Sequence, residues 1–261
     1  MKNLLIYVNP RKDFGEEEKI AIKIQIDNSL DLGWKKEDIM LVTNFPYKYN
    51  GVKSLVLEND NYYASFPQTS KINVIIDLFK QKLIKKKIYW YHDLDAYQLN
   101  DVSESELNLD ETDMYLSDYG RLPKWNTGSI FFKNTAEEIF KWIKYIAYKH
   151  DVLEEDALWA LTGKHNLLDG ERTIWGDGYI SKHIREIKNI NNRIKKANIT
   201  YNFNSGNIRS NYAAAIKPIK VAHFHFLNPS EINFFLLGTN KLNVQIVPER
   251  LVQIFNKHGV K

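Results

Sequence analysis

The sequence contains no cysteine, which removes disulfides, thiolate zinc sites and cysteine nucleophiles from consideration. That absence suits a reducing compartment, and a cytoplasmic setting is expected. No apolar run approaches the ~18 residues that a membrane-spanning helix needs. Met1-Lys2-Asn3-Leu4 runs straight into a short apolar stretch, with no signal-peptide core before it. A membrane span is therefore not expected. An excess of one charge is lacking too: 36 Lys and Arg stand against 32 Asp and Glu, for a net charge of +4. The lysines fall in short clusters (Lys35-Lys36, Lys85 to Lys87, Lys195-Lys196) rather than a long tract. Such clusters are ordinarily solvated faces, so nucleic acid is not expected as a partner. There is no internal repeat and no low-complexity linker. Asn198-Ile199-Thr200 is a formal glycosylation sequon that carries no weight in a cytosolic protein.

What is present is an ordinary globular balance in 261 residues, 44% hydrophobic and 26% charged, with 15 Tyr, 13 Phe and 6 Trp. Length and balance suit one α/β domain over residues 1–261. Leu4 to Val8 reads as a buried strand ending at Asn9-Pro10. Glu16-Glu17-Glu18 opens a helix through Leu30, although Ile20, Ile22, Ile24 and Ile26 alternate as in a strand; Gly33 stops it. Asp38 to Asn44 is a second strand, and strand–helix–strand at this spacing gives a parallel pair. Ser70 reads as the N-cap of a helix from Lys71 to about Lys85, with Val74, Ile75, Leu78 and Phe79 on its apolar face. Thr135 and Glu138 read as a capping box for the helix that carries Phe140, Trp142 and Ile146. Another helix begins at Glu154, a fifth is expected in the second half of 174–194, and a short one at Leu251 to Lys257. Lys220 to Phe226 is a late strand, and Ser205 to Lys217 reads as a mobile polar loop.

One stretch organises the rest: Ile88-Tyr89-Trp90-Tyr91-His92-Asp93-Leu94-Asp95. A buried strand ends at two acids one residue apart. Strand side chains alternate faces, so Asp93 and Asp95 share a side if the extended conformation continues past Tyr91. The carboxyl end of a strand is where open α/β sheets collect ligands. Two hard carboxylates there suit Mg²⁺ or Mn²⁺, which in turn holds a diphosphate. An isolated Asp-x-Asp is weak evidence, since roughly one is expected by chance in a chain of this length. Its neighbours in the chain give it weight. Trp125-Asn126-Thr127-Gly128 precedes an apolar strand, and a glycine there allows close backbone approach. Glu154-Glu155-Asp156 opens a helix, where acids also serve the helix dipole. His223 and His225 are one residue apart on the late strand.

Taken in order, these motifs resemble the GT-A-fold glycosyltransferases, over roughly residues 1 to 228. The resemblance implies a Rossmann-like, mixed but mainly parallel central sheet flanked by helices. It implies a nucleotide-binding half (1–100) ending at Asp93-x-Asp95 and an acceptor-side half (101–261) with a C-terminal metal-site strand and helix. A nucleoside-diphosphate sugar, foremost a UDP-sugar, would be held through Mn²⁺ or Mg²⁺, with a glycan or other hydroxyl compound as acceptor. Asp95 would ligate the metal, and Asp93 would share it or bind the donor ribose. His223 or His225 would complete the metal site, with His223 preferred. Tyr7, Val8, Asn9, Thr43 and Asn44 would border the nucleoside. Lys71 would reach a phosphate or sugar hydroxyl, the bland alternative being an exposed first-turn lysine. Asn126, Thr127 and Gly128 would line the sugar side. Asp156, with Glu155 next, would take the acceptor's proton in an inverting reaction or bind the acceptor in a retaining one. Three rivals stand beside this reading. A non-catalytic nucleotide- or glycan-binding module of the same fold has no need of these acids together. A haloacid-dehalogenase-like phosphatase has its Asp-x-Asp nearer the N-terminus and Thr or Val where this chain has Tyr97. A two-metal nuclease would need further carboxylates and a basic face.

Overall fold

The computed structural model describes residues 1–58, 61–107, 109–110, 112–120, 124–162, 182–205, 208–237 and 245–260. Its strands are β1 (Lys2–Tyr7), β2 (Ile39–Thr43), β3 (Lys48–Tyr49), β4 (Val52–Lys53), β5 (Leu55–Val56), β6 (Ile88–His92), β7 (Ala96–Gln98), β8 (Met114–Asp118), β9 (Trp125–Lys133), β10 (Ile194–Lys196), β11 (Phe203–Asn204) and β12 (Val221–His223). Its helices are α1 (Glu16–Asp31), α2 (Ser70–Lys80), α3 (Glu137–His150), α4 (Glu154–Leu161), α5 (Ile184–Asn192), α6 (Ile208–Ala214), α7 (Pro229–Phe235) and α8 (Glu249–Lys257). No helix among the described residues is long and apolar enough to cross a membrane.

Seven strands form the main sheet in the order β10-β8-β9-β6-β1-β2-β5. β1 is parallel to β2 and β6, so Tyr7, Thr43 and His92 all end at one edge. β9 is antiparallel to β6, with Ser129 opposite His92, which brings the beginning of β9 to that same edge. The alternation of β6 sorts its aromatics. Tyr89 and Tyr91 face the apolar layer of α2, α3 and α4, while Ile88 and Trp90 face the opposite side. A second sheet, β11-β12-β7, packs beside this edge, with His223 of β12 opposite Ala96 of β7.

Helix α1 resolves the ambiguity of its alternating isoleucines. Ile22 and Ile26 pack against Leu5 and Leu41 of the main sheet and against Phe45 just past β2. Ile24 and Ala21 pack on the other side, with Phe224, Leu251 and Phe255. A helix held between two cores buries both faces and shows no single apolar stripe. Gly33, at φ +83°, follows its end as expected.

Several local expectations are corrected. Ser70 does not cap α2. The turn Pro67–Thr69 leads directly into the helix, and Ser70 Oγ instead accepts from the Tyr63 N–H at 2.8 Å. α2 ends at Lys80, not Lys85. Thr135 and Glu138 form no capping box: Thr135 donates to Asp113 and Glu138 pairs with Arg193 at 2.8 Å, so both are spent on tertiary contacts. β12 stops at His223 rather than Phe226. Ser205 to Lys217 contains α6, and α7 was not expected at all. Of the helix expected in 174–194, α5 supplies the latter part, and residues 174–181 lie outside the described residues.

Candidate active site

β6 ends at His92, and the chain then turns rather than continuing extended. The Asp93 N–H donates to the Gly128 carbonyl at 2.9 Å, and the Ala96 N–H closes back on the Asp93 carbonyl at 3.1 Å. Asp93 and Asp95 do share a side, but a tight turn puts them there, not strand alternation. β7 then pairs with β12, whose last residue is His223. The Phe224 N–H donates to the Asp95 carbonyl at 2.9 Å, fixing the backbone of both partners. As a result one ligand atom each from Asp93, Asp95 and His223 lies within 4.8 Å of the others.

The two histidines differ. His223 Nε2 is 3.2 Å from Asp95 Oδ1, and its Nδ1 is 3.1 Å from the side-chain oxygen of Asn202. If Nδ1 carries the proton for Asn202, Nε2 is the nitrogen free to ligate, the arrangement that orients metal-binding imidazoles. His225 Nε2 is 3.4 Å from Asp95 Oδ2 but its side chain is 66% exposed, against 20% for His223. Gly128 makes the approach of His223 possible. A Cβ built there would sit 2.3 Å from His223 Cε1.

Charge in this corner is tightly organised. Burial pushes the Asp95 carboxyl up, but the charge and hydrogen bond of His223, helped by His225, outweigh it and leave Asp95 near 2. Burial likewise lowers His223, and Asp95 overrides it, raising the imidazole to about 9. His92, stacked on Trp90 and bound to Asn3, is lowered by burial to about 4 and is neutral at pH 7.

Lys71 is not the exposed residue of the bland reading. It is 4% exposed, with Nζ 3.1 Å from Asp93 Oδ1 and 3.0 Å from Glu154 Oε1. Tyr91 also donates its hydroxyl to Asp93 Oδ1. Glu154 is 2% exposed and accepts from Thr69 at 2.6 Å and Thr127 at 2.9 Å. Burial raises the Glu154 carboxyl, but Lys71 and the two hydroxyls outweigh it and hold it below its usual range. In the sequence Glu154 stands behind Asp156 and Glu155 as a candidate base, and Lys71 is expected to reach a phosphate or sugar hydroxyl unless it is an exposed first-turn lysine. Burial of the two as a pair is not anticipated. The signal was present, however. Lys71 shares the i, i+3, i+4, i+7 face with Val74, Ile75 and Leu78, and Glu154 shares one with Ala157, Leu158 and Leu161.

Glu155 accepts from the Thr127 N–H at 3.0 Å and from the Tyr119 hydroxyl at 3.0 Å, and its carboxyl is raised chiefly by burial. Asp156 points elsewhere, ion-paired with Lys124 at 2.8 Å. Tyr7, Val8, Asn9, Lys71, Asp93 and Asp95 line one cleft of about 460 Å³. Asn44 lines an adjoining hollow that meets the cleft at Tyr62, and its amide is clamped to the Asn9 backbone on both sides. Thr43 is buried behind it, with its hydroxyl on the Phe45 carbonyl, and does not line the cleft. Asn126 and Thr127 are 1–2% exposed. The Asn126 side-chain oxygen accepts from the Gly128 N–H at 3.0 Å, while its Nδ2 has no hydrogen-bond partner among the described residues.

Compared as a sequence, the chain matches no protein-family model and no curated protein. Compared as a structure it is similar in fold to several solved proteins. An active-site mutant of LgtC superposes with a TM-score of 0.56 at 7% identity, over 98% of this chain and 96% of that one. The galactosyltransferase LgtC in complex with donor and acceptor sugar analogs gives 0.52 at 11% identity, over 98% and 96%. The glycosyltransferase GlyE of Streptococcus pneumoniae TIGR4 gives 0.55 at 12% identity, over 100% of this chain and 61% of GlyE. The chain has the GT-A fold. At these identities the likeness is one of fold, and the chemistry rests on the residues just described.

Proposed function

We propose that this GT-A protein is a metal-dependent glycosyltransferase that takes a sugar from a nucleoside diphosphate, foremost a UDP-sugar, to a glycan or other hydroxyl acceptor. One observation carries the reading: Asp93, Asp95 and His223 converge at the carboxyl ends of parallel strands, on the rim of a cleft lined by Tyr7, Val8 and Asn9. In this reading residues 1–100 hold the nucleotide and 101–261 face the acceptor.

The donor set fits the cation. Two carboxylates and one imidazole suit Mn²⁺, and Mg²⁺ with less help from the nitrogen. Asp93, Asp95 and His223 would hold it, and His225, with its side chain 66% exposed, would stay outside. When bound, the cation neutralises charge on the departing diphosphate. The need for it is electrostatic. Lys71 is the one cationic side chain among the described residues that line the cleft, and its charge is committed to Asp93 and Glu154.

Glu155 is placed better than Asp156 to handle the acceptor. It is anchored through Thr127 to the start of β9, and its burial makes it a stronger base. Asp156 is instead ion-paired with Lys124, the residue before β9. Asn126, Thr127 and Gly128 then support the sugar side by holding His223 and α4 in place.

Calorimetric titration of nucleoside diphosphates and sugar nucleotides, with Mn²⁺ and with EDTA, tests the reading on wild type and Asp95→Ala side by side. Metal-dependent binding that disappears in Asp95→Ala is the expected result. A folded protein that binds nothing in the panel would instead be a glycan-binding module. Binding indifferent to metal and to Asp95 would keep the fold and sink the mechanism.

A further inference from the structure

We propose that Lys71 is a positioning residue, an internal strut that ties the carboxylate of Asp93 to Glu154 on α4, and that it does not contact a bound donor. The inference rests on the reading of the cleft as a donor site and changes the part Lys71 plays in it.

An ammonium has three N–H bonds to give. The acceptors around Lys71 Nζ are Glu154 Oε1 at 3.0 Å, Asp93 Oδ1 at 3.1 Å and the Thr127 carbonyl at 3.4 Å. These come from α4, the β6 turn and β9, so one side chain of α2 ties three other elements together. Its remaining surroundings include the Tyr91 ring, 5.3 Å from Nζ to the centroid. No N–H is left for a phosphate or a sugar hydroxyl, and a donor could recruit one only by stripping Glu154. That would leave a carboxylate 2% exposed without its cation, which is strongly unfavourable.

What the strut achieves is directional. Lys71 and the Tyr91 hydroxyl both hold Asp93 at Oδ1, which fixes the plane of the carboxylate. Asp93 Oδ2 is farther from Nζ, at 3.4 Å, and so is the freer oxygen. Glu154 has no place on the cleft lining, yet it sets this orientation through Lys71. Because Glu155 follows it on α4, the donor-side carboxylate and the acceptor-side carboxylate are located by one shared set of contacts.

Two arms test this on the full chain. The first is guanidinium unfolding, without metal, of wild type, Lys71→Met, Glu154→Gln and the double variant. Lys71→Met should lower the folding equilibrium constant about a hundredfold, and the double variant should recover part of that loss. Losses that simply add overturn the strut, whatever the cleft binds. The second arm is titration with Mn²⁺ and a nucleoside diphosphate. Glu154→Gln, outside the cleft, should weaken binding roughly tenfold, as a residue behind a metal ligand does. Wild-type affinity in Glu154→Gln alongside loss in Lys71→Met would make Lys71 a donor contact. Wild-type affinity in both would make the pair merely structural, and either result overturns the proposal. Should Lys71→Met fail to fold, Glu154→Gln alone still decides the second arm. Should wild type bind no nucleotide, the functional reading falls and the unfolding arm decides the strut by itself.

Discussion

The two sheets contribute to the same corner in different ways. The main sheet delivers Asp93 by rule: parallel strands end together, and acids at the end of a buried strand must surface there. The small sheet delivers His223 by long-range assembly, since β12 reaches β7 across more than a hundred residues of sequence. Asp93 is accordingly held by a lysine and a tyrosine in the dry layer beneath the main sheet. Asp95 is held by two histidines, of which His223 is 20% and His225 66% exposed. A site assembled this way has one half preset by the core and one half that answers to pH.

The comparison can be broken most severely at Asp95, the residue shared by both halves. Asp95→Ala should lower metal-dependent nucleotide affinity by about a hundredfold or more, measured by calorimetry. Unfolding should stay cooperative, because the Asp95 backbone bond to Phe224 remains.

Gly128→Ala tests the small-sheet half without touching a ligand. The new methyl must displace His223, so Mn²⁺ affinity should fall roughly tenfold, with a stability loss of about 1–3 kcal/mol. Gly33→Ala is the control for backbone strain, since its Cβ meets nothing within 4 Å and only its φ of +83° is affected. An equal loss of Mn²⁺ affinity in both variants would refute the steric argument.

A pH titration sharpens the difference next. His223 has its folded value raised from 6.5 to about 9, so its contribution to stability is complete below 6.5 and disappears as pH rises through about 9. Metal ligation needs the neutral imidazole, so Mn²⁺ affinity should climb between pH 7 and 9. His223→Gln should flatten both trends, and His225→Ala should leave most of each in place.

The smallest effect is expected far from the cleft, at Asp27. This buried carboxylate on α1 receives Lys257 at 2.8 Å, His258 at 2.9 Å, Tyr49 and Asn50. Burial raises it, but these four partners win and bring it down from 3.8 to about 2. Its share of stability, about 2 kcal/mol, is present above 3.8 and is lost as pH falls through about 2. Asp27→Asn should start from a lower stability plateau at neutral pH, and its gap to wild type should close as pH falls from 3.8 through about 2, with nucleotide affinity unchanged.

Sequence patterns carried the main-sheet half well. Leu4 to Val8, Asp38 to Asn44 and Ile88 to Tyr91 became β1, β2 and β6 because continuous apolar runs bounded by polar residues have few other uses. The caps at Ser70 and Thr135 were misread because a hydroxyl that suits a helix end also suits any nearby donor or acceptor. α6 and α7 are not legible in the sequence because helices of seven residues take their stability from packing rather than propensity. The buried Lys71–Glu154 pair lay within reach of periodicity, had charge not overridden position in the reading. That Asp93 and Asp95 meet was anticipated; that a turn rather than a strand achieves it needed the pairing of β7 with β12.

That turn has a mechanical consequence. Residues 93–95 are the covalent seam between two sheets whose strands run on in different partnerships, β6 with β9 and β7 with β12. The single residue between the aspartates therefore acts as a gauge block. One residue more would let β7 slip by one position against β12 and turn its side chains to the opposite face. Tyr97, now packed on Phe224 and Phe255, would then leave the core as the carboxylate moved. Length variation at this seam is thus punished twice, once in ligand geometry and once in folding.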